Sequence, residues 1–244
     1  MKAVVTAGGP IDGEFARAAG TTLKALAPVR GSTLLGGTIA ALRDFGIERI
    51  AVVGGDAVRD ACAHSVERVV PDTGSGRGNV LAALEAWPED GNALLYLTCD
   101  MPFVDAASLR SFVANVETGT LAMPLAEHRA YLARFPGAPD SGITLGGERV
   151  VNGGAFHIPA GSAERIRTFA TQLFEARKAP WRMATIAGPL LLLRFIVGRL
   201  TIDQLEARGN ELLGIPVRAI RNCAPELGFD CDLMVDYAYA LQHG

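Results

Sequence analysis

Short apolar runs alternate with helical patterns along the first half of the chain. Five runs are largely apolar, as strands are when helices cover both faces of a sheet, and only Val66–Val70 is interrupted by charged residues. These runs are Ala3–Thr6, Ile50–Val53, Val66–Val70, Ala93–Thr98 and Leu121–Pro124. Helical spacing predicts helices over Thr33–Phe45, Val58–His64, Val80–Trp87 and Ala106–Val116. Repetition of strand, turn and helix is typical of βαβ units, so the pattern predicts an α/β fold with a mostly parallel sheet.

The pattern changes after about residue 125, where short apolar runs stand among Gly and Pro. The strands predicted there are Ala130–Phe135, Gly142–Leu145, Ala155–Ile158 and Val217–Ile220. The helices predicted there are Ser162–Lys178, Pro189–Gly198, Thr201–Leu213 and Leu233–Leu241. We therefore predict one domain over 1–244 with an inserted or appended helical segment at 181–214.

The most apolar stretch of the sequence is Ile186–Gly198. It is too short to span a bilayer, and Arg194 interrupts it. The stretch is predicted to form a buried helix, with a subunit contact as the alternative. No membrane partner is expected.

Composition narrows the function classes. The 244 residues include 23 Lys or Arg and 26 Asp or Glu, which gives a net charge of −3. This balance argues against a duplex nucleic-acid binder, which needs a basic face for the phosphates. The four cysteines form no CxxC pair, so reduced core thiols and a cytoplasmic protein are expected.

Glycine is unusually frequent and clusters behind the predicted strands. The 28 glycines make up over a tenth of the 244 residues, whereas the usual share of glycine is about 7%. Ligands of open parallel sheets bind at the carboxyl ends of the strands, and glycine lets backbone amides approach an anion closely. A phosphate-rich ligand is therefore expected at these turns.

Two common phosphate motifs do not fit these turns. Gly8 and Gly13 have P-loop spacing, but Glu14 follows where a Lys is required. The dinucleotide fingerprint GxGxxG fails because Gly8 and Gly9 are adjacent, and near Gly76 because Asn79 replaces the last Gly. An NAD(P)-dependent oxidoreductase is therefore the weaker alternative.

Four segments taken together are more specific. An apolar strand ends in Ala7-Gly8-Gly9, and Lys24-Ala25-Leu26-Ala27-Pro28-Val29 precedes the first long helix. A later strand ends in Asp100-Met101-Pro102, and Asp230-Cys231-Asp232 precedes the last helix. Over nearly its whole length the chain thus resembles the MobA-like nucleotidyltransferases of the NTP transferase superfamily. The resemblance implies a three-layer α/β/α sandwich of the nucleotide-diphospho-sugar transferase type, with a Rossmann-like sheet and extra C-terminal helices. It also implies a nucleotide-binding half at 1–125 and a substrate-binding half at 126–244.

The resemblance also implies an activity and its participants. Such an enzyme transfers a nucleoside monophosphate from an NTP to a phosphorylated sugar, cofactor or similar small acceptor and releases pyrophosphate. Lys24 and Asp100 would be catalytic, and Asp100, Asp230 and Asp232 would hold Mg²⁺ or Mn²⁺. The implied nucleotide-binding residues are Ala7, Gly8, Gly9, Arg17, Gly76, Gly78 and Asn79. Asn152 and Gly153 would face the acceptor. Asp236 is expected to be solvated or to interact with the dipole of the last helix. A homo-oligomer is left open.

The stretch between Pro10 and Leu23 departs from the family pattern. The family has a compact Gly-x-Arg-Met-Gly loop there, whereas this longer stretch carries Asp12 and Glu14, with Arg17 as the replacement for the missing arginine. Two acids near a triphosphate repel it unless a metal intervenes. A nucleotide-binding protein that has lost catalysis is therefore the nearest alternative.

Overall fold

The computed structural model describes residues 1–176, 185–186 and 188–243. The end of the helix predicted to reach Lys178, and residues 181–184 and 187 of the predicted helical segment, lie outside the described residues. The strands are β1 Lys2–Thr6, β2 Pro28–Val29, β3 Ser32–Thr33, β4 Ile50–Gly54, β5 Arg68–Pro71, β6 Leu94–Thr98, β7 Leu121–Glu127, β8 Ile143–Leu145, β9 Glu148–Asn152, β10 Ala155–Ile158 and β11 Val217–Ile220.

Helices follow most of these strands. The α-helices are α1 Gly13–Ala19, α2 Leu34–Phe45, α3 Asp56–Cys62, α4 Gly76–Leu84, α5 Ala106–Val113, α6 His128–Arg134, α7 Ala163–Ala176, α8 Pro189–Ile196, α9 Ile202–Leu213 and α10 Met234–His243. Short 3₁₀ helices lie at Lys24–Leu26 and Pro225–Gly228. No helix in the described ranges combines the length and the apolar character needed to cross a bilayer.

Nine of the described strands build one large mixed sheet in the order β5-β4-β1-β6-β10-β7-β9-β8, with β11 beside β7, and β2 and β3 form a separate antiparallel pair. Strands β5, β4, β1 and β6 are parallel, and Thr6 is level with Val53 on one side and Thr98 on the other. Three strands therefore end side by side, and the turns that follow them open at the same edge of the sheet.

Strand β10 is inserted antiparallel between β6 and β7. Because it runs the other way, its first residues lie at the carboxyl end of β6. The amide of Thr98 donates to the carbonyl of Gly154 over 2.9 Å. The insertion thus brings the turn before β10 to the edge where β1 and β6 end.

Apolar side chains pack on both faces of the sheet, which confirms the three-layer α/β/α fold. On one face, Val5 and Leu97 pack with residues of α2 and α5, such as Leu42 and Phe112. On the other face, Val4, Val53 and Tyr96 pack with residues of α4, α7 and α9. Since β1 and β6 contribute to both clusters, their continuously apolar sequences follow from burial on both sides.

A third cluster is rich in aromatic rings and lies at one end of the sheet. The ring of Phe103 stands 4.9 Å from those of Phe135 and Phe229, and Phe15 of α1 stacks on Tyr237 of α10 at 4.8 Å. Phe103 follows the end of β6, and Phe229 precedes α10. The cluster therefore fixes two loops that carry predicted site residues.

The structure differs from the predictions at one strand, two missed elements and one exposed helix. Ala130–Phe135 was predicted as a strand, but α6 covers it because Tyr131 and Phe135, four residues apart, both reach the aromatic cluster. Strand β9 and helix α1 were not predicted, because the first follows a short Gly-Gly turn and the second lies in a Gly-bounded stretch. The apolar helix α8 has no buried residue within the chain, so burial inside one chain is wrong, whereas the subunit contact stays a prediction.

Local signals at helix ends were confirmed. Gly46 ends α2 in the left-handed conformation, with φ of 102°. The capping box of Thr201 and Gln204 opens α9, with both reciprocal hydrogen bonds present. The four cysteines are free and buried, as expected of core thiols.

Two glycines provide a matched test of this packing. A Cβ at Gly37, inside α2, would meet nothing within 4 Å, whereas a Cβ at Gly54 would lie 2.4 Å from Cγ1 of the buried Val58. Gly37→Ala should raise the free energy of unfolding by about 0.5–1 kcal/mol, because alanine restricts the unfolded chain and favours helix. Gly54→Ala should lower it by about 1–3 kcal/mol through overpacking. Urea denaturation followed by circular dichroism measures both, and a shift of the two variants in the same direction would contradict this packing.

Candidate active site

An ammonium group and two carboxylates meet where β1 and β6 end. Lys24 opens the 3₁₀ helix Lys24–Leu26, and its amide donates to the carbonyl of Gly9 over 2.9 Å. Its Nζ lies 3.0 Å from Oδ2 of Asp100 and 2.6 Å from Oδ1 of Asp232. Asp100 is the second residue after β6, and Asp232 lies just before α10. The lysine therefore connects three loops that are far apart in sequence.

A third carboxylate, Asp230, lies in the same place without a hydrogen-bonding partner. Its Oδ1 and the Oδ1 of Asp100 are buried, and neither has a partner among the described residues. Burial, reinforced by the charges of Asp100 and Asp232, raises the pKa of Asp230 to about 8. At neutral pH, Asp230 is therefore mostly protonated in the ligand-free protein.

Lys24 responds to the same surroundings in the opposite way. Burial alone lowers its pKa, but the charges and hydrogen bonds of Asp100 and Asp232 outweigh that effect and raise the pKa above its ordinary value. Lys24 therefore remains protonated throughout the physiological pH range. It serves as a fixed positive charge and not as a base.

Backbone hydrogen bonds hold the acidic loops together. The amide of Cys231 donates to the carbonyl of Asp100 over 2.8 Å, and the amide of Cys99 donates to the carbonyl of Thr6 over 3.2 Å. Asp236 was expected to be solvated or to act through the helix dipole. It lies in the first turn of α10, as the second alternative requires, but it is buried and not solvated, and its Oδ2 accepts the amides of Asp232 and Leu233 at 3.1 and 2.7 Å. The carboxylate of Asp236 thus shapes the loop on which Asp232 stands.

A cleft of about 680 Å³ opens beside these groups. Its lining combines the strand ends, the turn after β1, the start of α4 and one aromatic ring from α7. The lining residues include Thr6, Gly8, Gly9, Lys24, Gly76, Arg77, Asn79, Tyr96, Thr98, Asp100 and Phe174. The amides of Gly8, Gly9, Gly76 and Arg77 make no hydrogen bond to any described residue, so they can donate to a ligand.

Close packing explains two of the glycines. A Cβ at Gly8 would lie 2.2 Å from Nδ2 of Asn79, and a Cβ at Gly78 would lie 2.1 Å from Oγ1 of Thr73. Asn79 is buried, and its Oδ1 accepts the amide and the hydroxyl of Thr73, each at 2.9 Å. Gly8 thus lets the turn after β1 approach Asn79 at the start of α4, and Gly78 and Asn79 hold the loop before α4 through Thr73.

Two predicted nucleotide-binding groups are placed differently. The amide of Ala7 donates to the carbonyl of Val53 over 2.8 Å, so it is already used within the sheet edge. Arg17 lies on α1, where Phe15 and Ala19 point inward and Arg17 points to solvent. Arg17 is absent from the cleft lining, because the helix places it on the face opposite the core.

The turn between β9 and β10 completes the site, and sequence reasoning identified it only in part. Asn152 ends β9 and is exposed, and the amide of Gly153 donates to the carbonyl of Pro124. A Cβ at Gly154 would lie 2.4 Å from Oγ1 of Thr98 and 3.5 Å from Oδ1 of Asp230. Gly154 was not predicted as a site residue, although the adjacent pair Gly153-Gly154 before a strand was the available signal.

The donor set fits a divalent cation. Two buried carboxylate oxygens, on Asp100 and Asp230, lack any partner among the described residues, and hard cations such as Mg²⁺ prefer carboxylate oxygen. No group of three or more His, Cys, Asp or Glu with metal-binding arrangement occurs within the described ranges. Since Mg²⁺ keeps several waters, two carboxylates are sufficient.

Known proteins similar to this chain include a protein family and several solved structures. The family model described as MobA-like NTP transferase domain matches residues 3–223. A hypothetical transferase from Thermus thermophilus shares 27% identity and superposes with a TM-score of 0.83, over 97% of this chain and 99% of that one. A nucleotidyl transferase from Methanothermobacter shares 19% identity at a TM-score of 0.58, over 99% and 96% of the two chains. A Mycobacterium tuberculosis protein in complex with manganese shares 21% identity at a TM-score of 0.52, over 100% of this chain and 98% of that one. No curated protein matches the chain.

The electrostatics of Asp230 predict a pH dependence of stability. The pKa of this group is raised on folding, so the native protein binds the proton more tightly than the unfolded chain. The resulting stabilisation is complete below about pH 4, where both the folded and the unfolded state are protonated. It is lost progressively as the pH rises to about 8. The contribution falls by at most about 1.4 kcal/mol per pH unit in that window. In Asp230→Asn this contribution is absent, so the variant should gain stability relative to the unmodified protein from pH 5 to pH 8.

Urea titrations of both proteins at several pH values, without divalent cations, measure this difference. Asp60→Asn, at an exposed position of α3 that has no ion pair with any described residue, is the matched control for the loss of one carboxylate. Parallel profiles for Asp230→Asn and the parent would show that Asp230 is ionised at neutral pH.

Proposed function

Because the chain belongs to the MobA-like NTP transferase family, we propose that it transfers a nucleoside monophosphate from an NTP to a small phosphorylated acceptor and releases pyrophosphate. The convergence of Lys24 with the carboxylates of Asp100, Asp230 and Asp232 at the edge of the cleft is the observation that carries this proposal. Nucleotidyl transfer concentrates negative charge on phosphates, and such a site supplies compensating charge at fixed positions.

The nucleotide binds in the cleft between the turn after β1 and the start of α4. The free amides of Gly8 and Gly9 donate to phosphate oxygens, since no Cβ keeps the anion at a distance. The first turn of α4, with Gly76, adds amides and the positive end of the helix dipole. The close approach of Gly8 to Asn79 keeps the two walls of this cleft together.

A bound Mg²⁺ or Mn²⁺ supplies charge neutralisation for the triphosphate. Asp100 and Asp230 would hold it through the oxygens that lack partners, and Asp232 stands beside them on the other side of Lys24. Asp230 releases its proton when it accepts a cation, because its pKa of about 8 belongs to the ligand-free state.

The chemistry is one displacement at the α-phosphorus. A phosphate oxygen of the acceptor forms a new bond to the α-phosphorus, and the bond to the bridging oxygen breaks, so pyrophosphate leaves with the electron pair. An ionised acceptor phosphate needs no general base. Lys24, which stays protonated, stabilises the additional negative charge. Asn152 and Gly153 face the acceptor from the turn before β10.

The first test combines binding with turnover. Each of the four NTPs, with and without Mg²⁺, is added to the protein, and the melting temperature is measured. An NTP at about 100 times its dissociation constant stabilises the fold by roughly 2.7 kcal/mol. Pyrophosphate release is then measured with a panel of sugar phosphates and phosphorylated alcohols, and Asp100→Asn should reduce it by about a hundredfold or more with the fold intact.

Each outcome separates the alternatives. Stabilisation by an NTP without pyrophosphate release from any acceptor would indicate a nucleotide-binding protein that has lost catalysis. Stabilisation by NADH and by no NTP would overturn the proposal in favour of an oxidoreductase. Full activity of Asp100→Asn in Mg²⁺ would remove Asp100 from the metal site.

A second pair of variants tests which basic residue meets the phosphates. Lys24→Met removes the buried charge between Asp100 and Asp232, and we expect a loss of about a hundredfold in kcat/KM. Arg17→Met removes an exposed charge from α1, outside the cleft lining, and kcat/KM should change less than about twofold. Equal losses in the two variants would show that α1 carries the arginine of the family loop.

A further inference from the structure

Helix α8 presents an apolar patch to solvent, although its sequence is typical of a buried helix. The patch consists of Leu190, Leu193, Ile196 and Val197, which are 58%, 56%, 72% and 54% exposed. Their spacing of three and four residues places them on one side of the helix. Leu190, Leu191 and Gln204 line a shallow cavity of about 330 Å³ between α8 and α9. Phe195, four residues after Leu191 and 62% exposed, adds an apolar ring on that side of the helix. Contiguous exposed apolar patches of this kind mark interaction surfaces.

The surroundings of the apolar patch are basic. Arg194 lies within α8 and Arg199 just after it, and neither makes an ion pair within the part of the chain that the structure describes. In the sequence, residues 177–200 contain Arg or Lys at five positions and neither Asp nor Glu. This is a local reversal of charge, because the whole chain carries −3.

The acids of the neighbouring helix do not offset this charge. On α9, Asp203 pairs with Arg221 at 2.7 Å, and Glu211 pairs with Arg208 at 2.9 Å. These carboxylates are already neutralised by arginines of their own surroundings. The basic border of the apolar patch therefore remains available to an external anion.

We propose that the apolar patch of α8 docks on a lipid bilayer that carries anionic headgroups. The four aliphatic side chains enter the boundary between headgroups and acyl chains, and Arg194 and Arg199 stay at the level of the headgroups. The helix is far too short to span the membrane, so it lies on the surface. This docking is independent of the proposed transferase activity, because α8 contributes nothing to the cleft lining.

A second copy of this chain fits the same patch less well. Across a two-fold axis the patch would face itself, so Arg194 and Arg199 would lie near the same residues of the other copy. No acid of the segment could pair with them, and like charges oppose such an interface. Anionic headgroups match both the apolar centre and the basic border.

Co-sedimentation with vesicles tests the docking. The full-length protein should sediment with vesicles of phosphatidylcholine and phosphatidylglycerol, should bind pure phosphatidylcholine weakly, and should dissociate as salt rises. Arg194→Gln/Arg199→Gln should weaken binding to the anionic vesicles by about 30-fold, since the electrostatic attraction of two basic residues to the headgroups is lost together. Leu193→Ser/Ile196→Ser should weaken it by at least about tenfold on both vesicle types.

Leu132→Ser is the matched control, because Leu132 is a comparably accessible leucine on α6, 42% exposed, and its binding should equal that of the parent. Circular dichroism establishes that each variant is folded. If Leu193→Ser/Ile196→Ser does not fold, the arginine variant still decides the test. Failure of the parent to bind anionic vesicles overturns the proposal. So does a stable dimer, seen by analytical ultracentrifugation, that Leu193→Ser/Ile196→Ser converts to monomers while vesicle binding is absent.

Discussion

The structure around the cleft depends on the repulsion among carboxylates that the fold places together. Asp100, Asp230 and Asp232 come from two loops, and Lys24 is the cation that meets two of them. Charges in a partly buried site cost free energy unless they are paired, so Asp230 keeps its proton until about pH 8. The ligand-free protein thus holds an excess of negative charge, which the proposed divalent cation would relieve.

The fold sustains this arrangement through tight packing of loops away from the charges. Phe103 and Phe229 lie a few residues from Asp100 and Asp230, and their rings are 4.9 Å apart in the aromatic cluster. The backbone hydrogen bond from Cys231 to Asp100 joins the same two loops at 2.8 Å. Apolar burial on one side therefore fixes carboxylates on the other, and rigid support of this sort is what electrostatic catalysis requires.

Much of the fold could be predicted because its signals are local. The buried strands β1, β4 and β6 read as continuous apolar runs, and helices α2 and α5 show helical spacing and recognisable ends. The elements that were predicted wrongly depend on contacts with residues that are distant in sequence. Helix α6 forms where a strand was predicted, because Tyr131 and Phe135 find their partners in the aromatic cluster only after folding.

The sequence by itself determined the chemistry of the site, since a carboxylate behind β6, an Asp-x-Asp before α10 and a lysine after a Gly-Gly turn are all visible in it. Only the tertiary structure decided which groups meet. It placed Lys24 between Asp100 and Asp232, turned Arg17 to solvent, and brought Gly154 against Thr98 through the antiparallel insertion of β10. It also left α8 uncovered, which its apolar sequence did not indicate. The physical reason is the same in each case: residue type sets what a side chain can do, whereas pairing, burial and exposure depend on neighbours that are distant along the chain.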